Sequence, residues 1–104
     1  MMERIVWTGT LVAGMEDVYE TLHREIWPEM LEDLKRQGIS NYTIFRFGQK
    51  IIGYYECEDL DRLHAVKANS AVAARWAKSM EGVINIDKAG GRADGRYQPI
   101  FHMA

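Results

Sequence analysis

The chain has 104 residues, with 13 Lys and Arg against 15 Asp and Glu and a formal charge of −2, and its length suits one domain over residues 1–104. With no basic field and no run of cations it is not built to hold nucleic acid, and no apolar stretch approaches the ~18 residues of a membrane span. The start lacks the basic and then apolar pattern of a signal peptide, and a lone Cys57 forbids an internal disulfide, so a cytoplasmic protein without a membrane partner is expected.

Residues 5–12 are rich in β-branched and aromatic types and predict the first strand, which Gly14 ends. From 15 to 37, Met15, Val18, Leu22, Ile26, Met30 and Leu34 recur at helical spacing and predict a core-facing stripe. Glu29, Glu32, Asp33, Lys35 and Arg36 fall on its wet side. Pro28 has no N–H to donate and disfavours helical geometry at the residue before it. A break at Ile26-Trp27 follows, with a restart that places Pro28 in the first turn and a stop at Gly38.

Residues 41–47 alternate, 48–50 turn, and 51–57 return as the second strand of a hairpin. Gly53 inside that strand suggests close approach by another backbone or a ligand. Asp59 is placed to cap a helix through Ala68. Asn69 or Ser70 caps another through Val83, carrying Val72, Trp76 and Met80. Residues 87–95 are a loop by composition, and 97–103 predict a final strand.

The order β-α-β-β-α(α)-β is the split βαβ, ferredoxin-like pattern: an α+β fold with one antiparallel sheet and its helices on one face. The other face would carry Trp7 or Thr8, Tyr42 or Thr43, Tyr54 or Tyr55, and Tyr97 or a neighbour. A bare aromatic face either pairs with a second copy or lines a pocket, and a two-fold homodimer is expected.

His23, His64 and His102 lie far apart, without the local spacing of zinc ligands, so no metal site is expected. Gly90-Gly91 does not open a helix after a strand, so no dinucleotide is expected either. Cys57 reads as a buried, inert thiol. Tyr19 and His23, four apart, share a helix face at the edge of the apolar stripe. A histidine near its ordinary range can give and take a proton at neutral pH, a tyrosine can bond a sugar hydroxyl, and a tryptophan can cover a pyranose. That set suits acid–base chemistry without a cofactor on a small polar molecule.

The block HREIWPEMLEDLKRQGISNYTI, with Arg75-Trp76 and Met80 after it, resembles the L-rhamnose mutarotase family, and the resemblance runs over nearly the whole chain. It implies a dimeric ferredoxin-like protein of the α/β-barrel type that interconverts the anomers of a 6-deoxyhexose, L-rhamnose in the family. By that resemblance His23 is the catalytic proton donor in an acid–base ring opening and closing, and Tyr19, Tyr42 and Trp76 bind the sugar. The chain departs from the family where a Trp-Trp pair reads Trp76-Ala77 and where a further tryptophan reads Leu63. These departures touch the sugar-facing wall and leave L-fucose or a related aldose open as substrate. A ferredoxin-fold monooxygenase and a non-catalytic ligand-binding module share the same architecture and stand as alternatives.

Overall fold

The computed structural model describes residues 2–87 and 99–104. Among these the order is β1 (Glu3–Leu11), α1 (Glu16–Arg24), α2 (Pro28–Arg36), β2 (Ser40–Phe47), β3 (Lys50–Cys57), α3 (Leu60–Ala68), α4 (Ala71–Ser79) and β4 (Ile84–Ile86). The strands form one antiparallel sheet in the order β2-β3-β1-β4. This is the expected α+β, ferredoxin-like arrangement, with both crossovers helical.

Local signals start and stop most of these elements as the residues require. Trp27 is extended (φ −62°, ψ 135°) and Pro28 occupies the first turn of α2, so the long helical stripe is two helices, the first of which already ends at Arg24. Gly38 takes φ 87°, and the N–H groups of Gly38 and Ile39 close on the carbonyls of Lys35 and Leu34, the left-handed stop that a side chain would disfavour. Asp59 accepts from the Arg62 N–H and Ser70 from the Ala73 N–H, both at 3.0 Å. Each such cap stabilises its helix by about 1 kcal/mol.

Five expectations are corrected. The helix after Ser70 ends at Ser79 and does not reach Val83, because the chain turns there and enters the sheet. The fourth strand is Ile84–Ile86, where Leu11 pairs with Ile84 and Gly9 with Ile86, and no strand was expected there. The expected strand over 97–103 is not seen at 99–104, while 97 and 98, with the loop positions after Asp87, lie outside the described residues. Asp33, assigned to the wet side, is buried: its carboxylate accepts from Gln37 at 2.7 Å and pairs with Arg36 at 3.0 Å. That satisfied buried carboxylate is the usual condition for a charge inside a fold. Val18, assigned to the stripe, is exposed.

Alternation decides what each face of the sheet carries. Ile5, Leu11, Ile51, Tyr55 and Cys57 are buried under the helices, and Trp7, Tyr42 and Ile44 pack against them. Thr8, Thr43, Phe45, Ile52 and Tyr54 occupy the opposite phase of the same ladders and face away from the helices. Of the paired alternatives, Thr8, Thr43 and Tyr54 therefore belong to the open face, while Trp7, Tyr42 and Tyr55 turn inward. The start of β2 is irregular between Ser40 and Thr43. Asn41 absorbs the extra residue there at φ 49°, and its Nδ2 donates to Glu56 at 2.8 Å. Among the described residues no helix is long and apolar enough to cross a membrane.

Candidate active site

Between the helices and the inner sheet face lies a cavity of about 980 Å³, at the upper end of the ~300–1,000 Å³ typical of small-molecule sites. Its wall is mostly apolar, with a few convergent polar groups, and Tyr19, His23, Tyr42 and Trp76 all line it. The four residues singled out in the sequence are thus brought to one place from α1, β2 and α4.

His23 sits in the last turn of α1, just before the break that Pro28 enforces. Its Nδ1 lies 2.8 Å from the Tyr19 carbonyl one turn back. A carbonyl only accepts, so Nδ1 carries the hydrogen and Nε2 is left as the acceptor of the neutral ring. Burial lowers the imidazole below its ordinary value of 6.5, and the bond to the carbonyl opposes this only in part. At neutral pH the His23 ring is therefore uncharged. The Tyr19 ring packs on it with centroids 4.1 Å apart, and the Trp76 ring meets it edge-on at 5.2 Å.

Both tyrosines are held as hydrogen-bond donors. Burial raises the Tyr19 hydroxyl well above its ordinary range, and the nearby Tyr42 adds to the effect. Burial likewise pushes Tyr42 up to about 12, although the bond from Trp7 pulls the other way. That bond runs from Trp7 Nε1 to Tyr42 Oη at 3.0 Å. An indole N–H can only donate, so the phenol oxygen accepts and its own proton is free for another partner.

Trp7 reaches Tyr42 by crossing an intervening strand. It starts on β1, Tyr42 stands on β2, and β3 lies between them. Its register partner on β3 is Gly53. A Cβ built there would lie 2.1 Å from Trp7 Nε1, so the indole rests on bare backbone. Gly53 was expected to admit another backbone or a ligand; it admits this side chain. Trp7 was not singled out as a site residue, and the one signal for it was that misplaced glycine.

A second layer stands behind Trp76. Trp27, the extended residue of the helix break, meets the Trp76 ring at 5.3 Å and 90°. The Arg75 guanidinium lies 5.0 Å from the Trp27 ring centre, and Arg75 bonds Glu29 at 2.6 Å. Leu63 and Ala77 also line the cavity, on the wall that the sequence departures mark. Cys57 is buried in the core away from it, and burial raises its thiol above the ordinary value. His64 lines the cavity as well, whereas His102 bonds Arg4 outside it. Among the described residues no group of three His, Cys, Asp or Glu side chains is gathered as a metal would need.

A family model described as L-rhamnose mutarotase matches residues 4–103. An L-rhamnose mutarotase from Oceanobacillus iheyensis is 33% identical over 104 residues, covering 98% of this chain and 99% of its own length. One from Opitutus terrae is 34% identical with the same coverage. The crystal structure of an L-rhamnose mutarotase from Formosa agariphila shares the fold, with a TM-score of 0.78 at 21% identity over 98% of this chain and 99% of that one. Matched along almost its whole length in sequence and in fold, the chain belongs to the L-rhamnose mutarotase family.

Proposed function

We propose that the protein interconverts the α and β anomers of a 6-deoxyhexose, L-rhamnose first among them, with His23 as its acid–base residue and without a cofactor. The observation that carries this reading is the fixed tautomer of His23, whose Nδ1–H is engaged by Tyr19 while Nε2 stays basic beside two protonated tyrosines. Nε2 takes the proton of the anomeric hydroxyl as the bond from C1 to the ring oxygen breaks. A hydroxyl held at about 12, as on Tyr42, stays protonated at neutral pH. It gives its proton only to a strongly basic oxygen, and the ring oxygen becomes one as that bond opens. The open aldehyde turns about C1–C2. On closure the hydroxyl that was the ring oxygen attacks C1 from the other face and returns its proton to the tyrosinate. The carbonyl oxygen then takes the proton back from the imidazolium, and nothing is consumed.

Tyr19 and Tyr42 would orient the sugar hydroxyls, and Trp76 would cover an apolar ring face. Leu63 and Ala77 line the same cavity with side chains smaller than the tryptophans that the resemblance leads one to expect there, which makes L-fucose and related aldoses the competitors to compare. The proposal extends to a cytoplasmic homodimer. Its support is the open sheet face, where Phe45 is 60%, Phe47 86% and Ile52 42% exposed, more apolar surface than a lone domain usually leaves bare. The single buried thiol is compatible with a reducing compartment.

Saturation transfer between the two anomeric proton signals of L-rhamnose tests the reaction. Transfer with the wild type, and none beyond the buffer rate with a folded His23→Ala variant, is the expected result. Transfer that survives His23→Ala removes the assigned role. Absence of transfer with L-rhamnose, L-fucose and other aldoses removes the reaction itself.

A further inference from the structure

Trp76 is a wall residue that touches His23, yet among the described residues no hydrogen bond fixes its indole there. What stands behind it is Trp27. That residue is forced out of both neighbouring helices by Pro28, and its extended backbone (ψ 135°) turns its ring toward α4. The two indoles meet at 5.3 Å and 90°, the edge-to-face arrangement that aromatic quadrupoles favour. Trp27 also faces the Arg75 guanidinium, 5.0 Å from its ring centre. Arg75 and Glu29 are 60% and 59% exposed, so their ion pair is screened and holds little by itself. Trp27 does not line the cavity, whereas Trp76 does.

We propose that Trp27 is a positioning residue: in contact with both Arg75 and Trp76, it holds the Trp76 ring edge-on against His23, taken here as the acid–base group proposed above. The helix break then does more than shorten a helix. It supplies the prop that ties the end of α1, which carries His23, to α4, which carries its cover. Loss of the prop lets Trp76 drift and lets water reach the imidazole. A catalytic pair displaced by about 1 Å can lose up to about 100-fold in rate.

The test compares Trp27→Leu, which keeps an apolar side chain and the fold, with Trp27→Phe, which keeps an aromatic edge. Two readouts are followed in each: anomer exchange, and the midpoint of the His23 ring proton titration by NMR. The other titratable groups sharing the cavity are Tyr19 from α1, Tyr42 and Tyr55 from the sheet, His64 and Lys67 from α3, and Glu81 beyond α4. None of them is altered by either variant. In Trp27→Leu the midpoint is expected to rise toward the ordinary 6.5 as burial of His23 is relaxed. Exchange is expected to fall about tenfold, mainly in kcat, and Trp27→Phe is expected to restore both. A folded Trp27→Leu protein with wild-type midpoint and wild-type exchange overturns the proposal, as does Trp27→Phe failing together with it. If the wild type exchanges no aldose at all, the mutarotase reading falls on that result. The titration alone then decides: a shift confined to Trp27→Leu upholds the prop, and no shift removes it.

Discussion

Gly53→Ala is the sharpest small change available, because it adds one methyl group where the indole of Trp7 crosses β3. The new Cβ would lie 2.1, 2.2 and 2.6 Å from Nε1, Cε2 and Cζ2 of Trp7. Ordinary contacts fall at ~3.5–4.0 Å, so the ring must retreat by more than about 1 Å. The 3.0 Å bond from Nε1 to Tyr42 cannot survive that movement. Overpacking of this kind costs about 1–3 kcal/mol, and loss of the hydrogen bond adds roughly 0.5–1.5 kcal/mol. The reduced freedom of the unfolded chain returns about 0.4–1 kcal/mol. The net expectation is a loss of about 2 kcal/mol, or a fall in Tm of roughly 10 °C for a chain this size. Anomer exchange should drop in the folded fraction too, since Tyr42 loses the donor that leaves its proton free. Thermal melts and exchange rates are measured for Gly53→Ala, Trp7→Leu and the double variant. In the double variant the clash is gone, so the alanine should cost little there. An unchanged Tm for Gly53→Ala, or an equal cost in both backgrounds, would show that the Trp7 indole does not rest on the Gly53 backbone.

Other expectations follow from single groups. Because the folded value of His23 lies below 6.5, the unfolded chain binds more protons just under that pH. The contribution of His23 to stability is therefore complete above pH 6.5 and is lost as pH falls toward the folded value; denaturant titrations across that window should show a slope that His23→Gln removes. The acid limb of the exchange rate should likewise lie below 6.5. Ser70→Ala removes the acceptor of the Ala73 N–H and should cost about 1 kcal/mol, read as a lower midpoint in urea with an unchanged slope. Phe47→Glu, at an 86% exposed site, should leave the fold intact and convert a dimer to a monomer by light scattering. A variant that remains dimeric shows that the open face is not the contact.

What could be read in the sequence was what neighbouring residues decide. Pro28 after Trp27, Gly38 after the stripe, and Asp59 and Ser70 ahead of their helices each fix local backbone geometry, and the elements follow them. The fourth strand could not be read that way. Val83 continues the helical spacing of Val72, Trp76 and Met80, and only pairing with β1, some 75 residues earlier, makes Ile84–Ile86 a strand. The same limit hid Asp33: its bond to Gln37 is local, four residues on, but its burial depends on what the fold packs over α2. Within the site, Tyr19 and His23 were legible because helix geometry stacks positions four apart. Trp7 was not, because its role depends on a glycine in a different strand. Trp27 was legible as a break but not as a contact, since its partners lie on α4.

Among the described residues the four helices have one further property in common: each is nine residues long. That is about two and a half turns, well short of the ~12–15 residues at which an isolated helix begins to hold in water. None can outlive the sheet it packs on. Tyr19, His23 and Trp76 therefore reach their places only after strands distant in sequence have closed on one another, and the search for those long-range pairings sets the pace of folding. Refolding should appear as one kinetic event in which helical signal and tryptophan environment recover together. No half-built pocket is then expected on the way, and the site should come into being together with the fold.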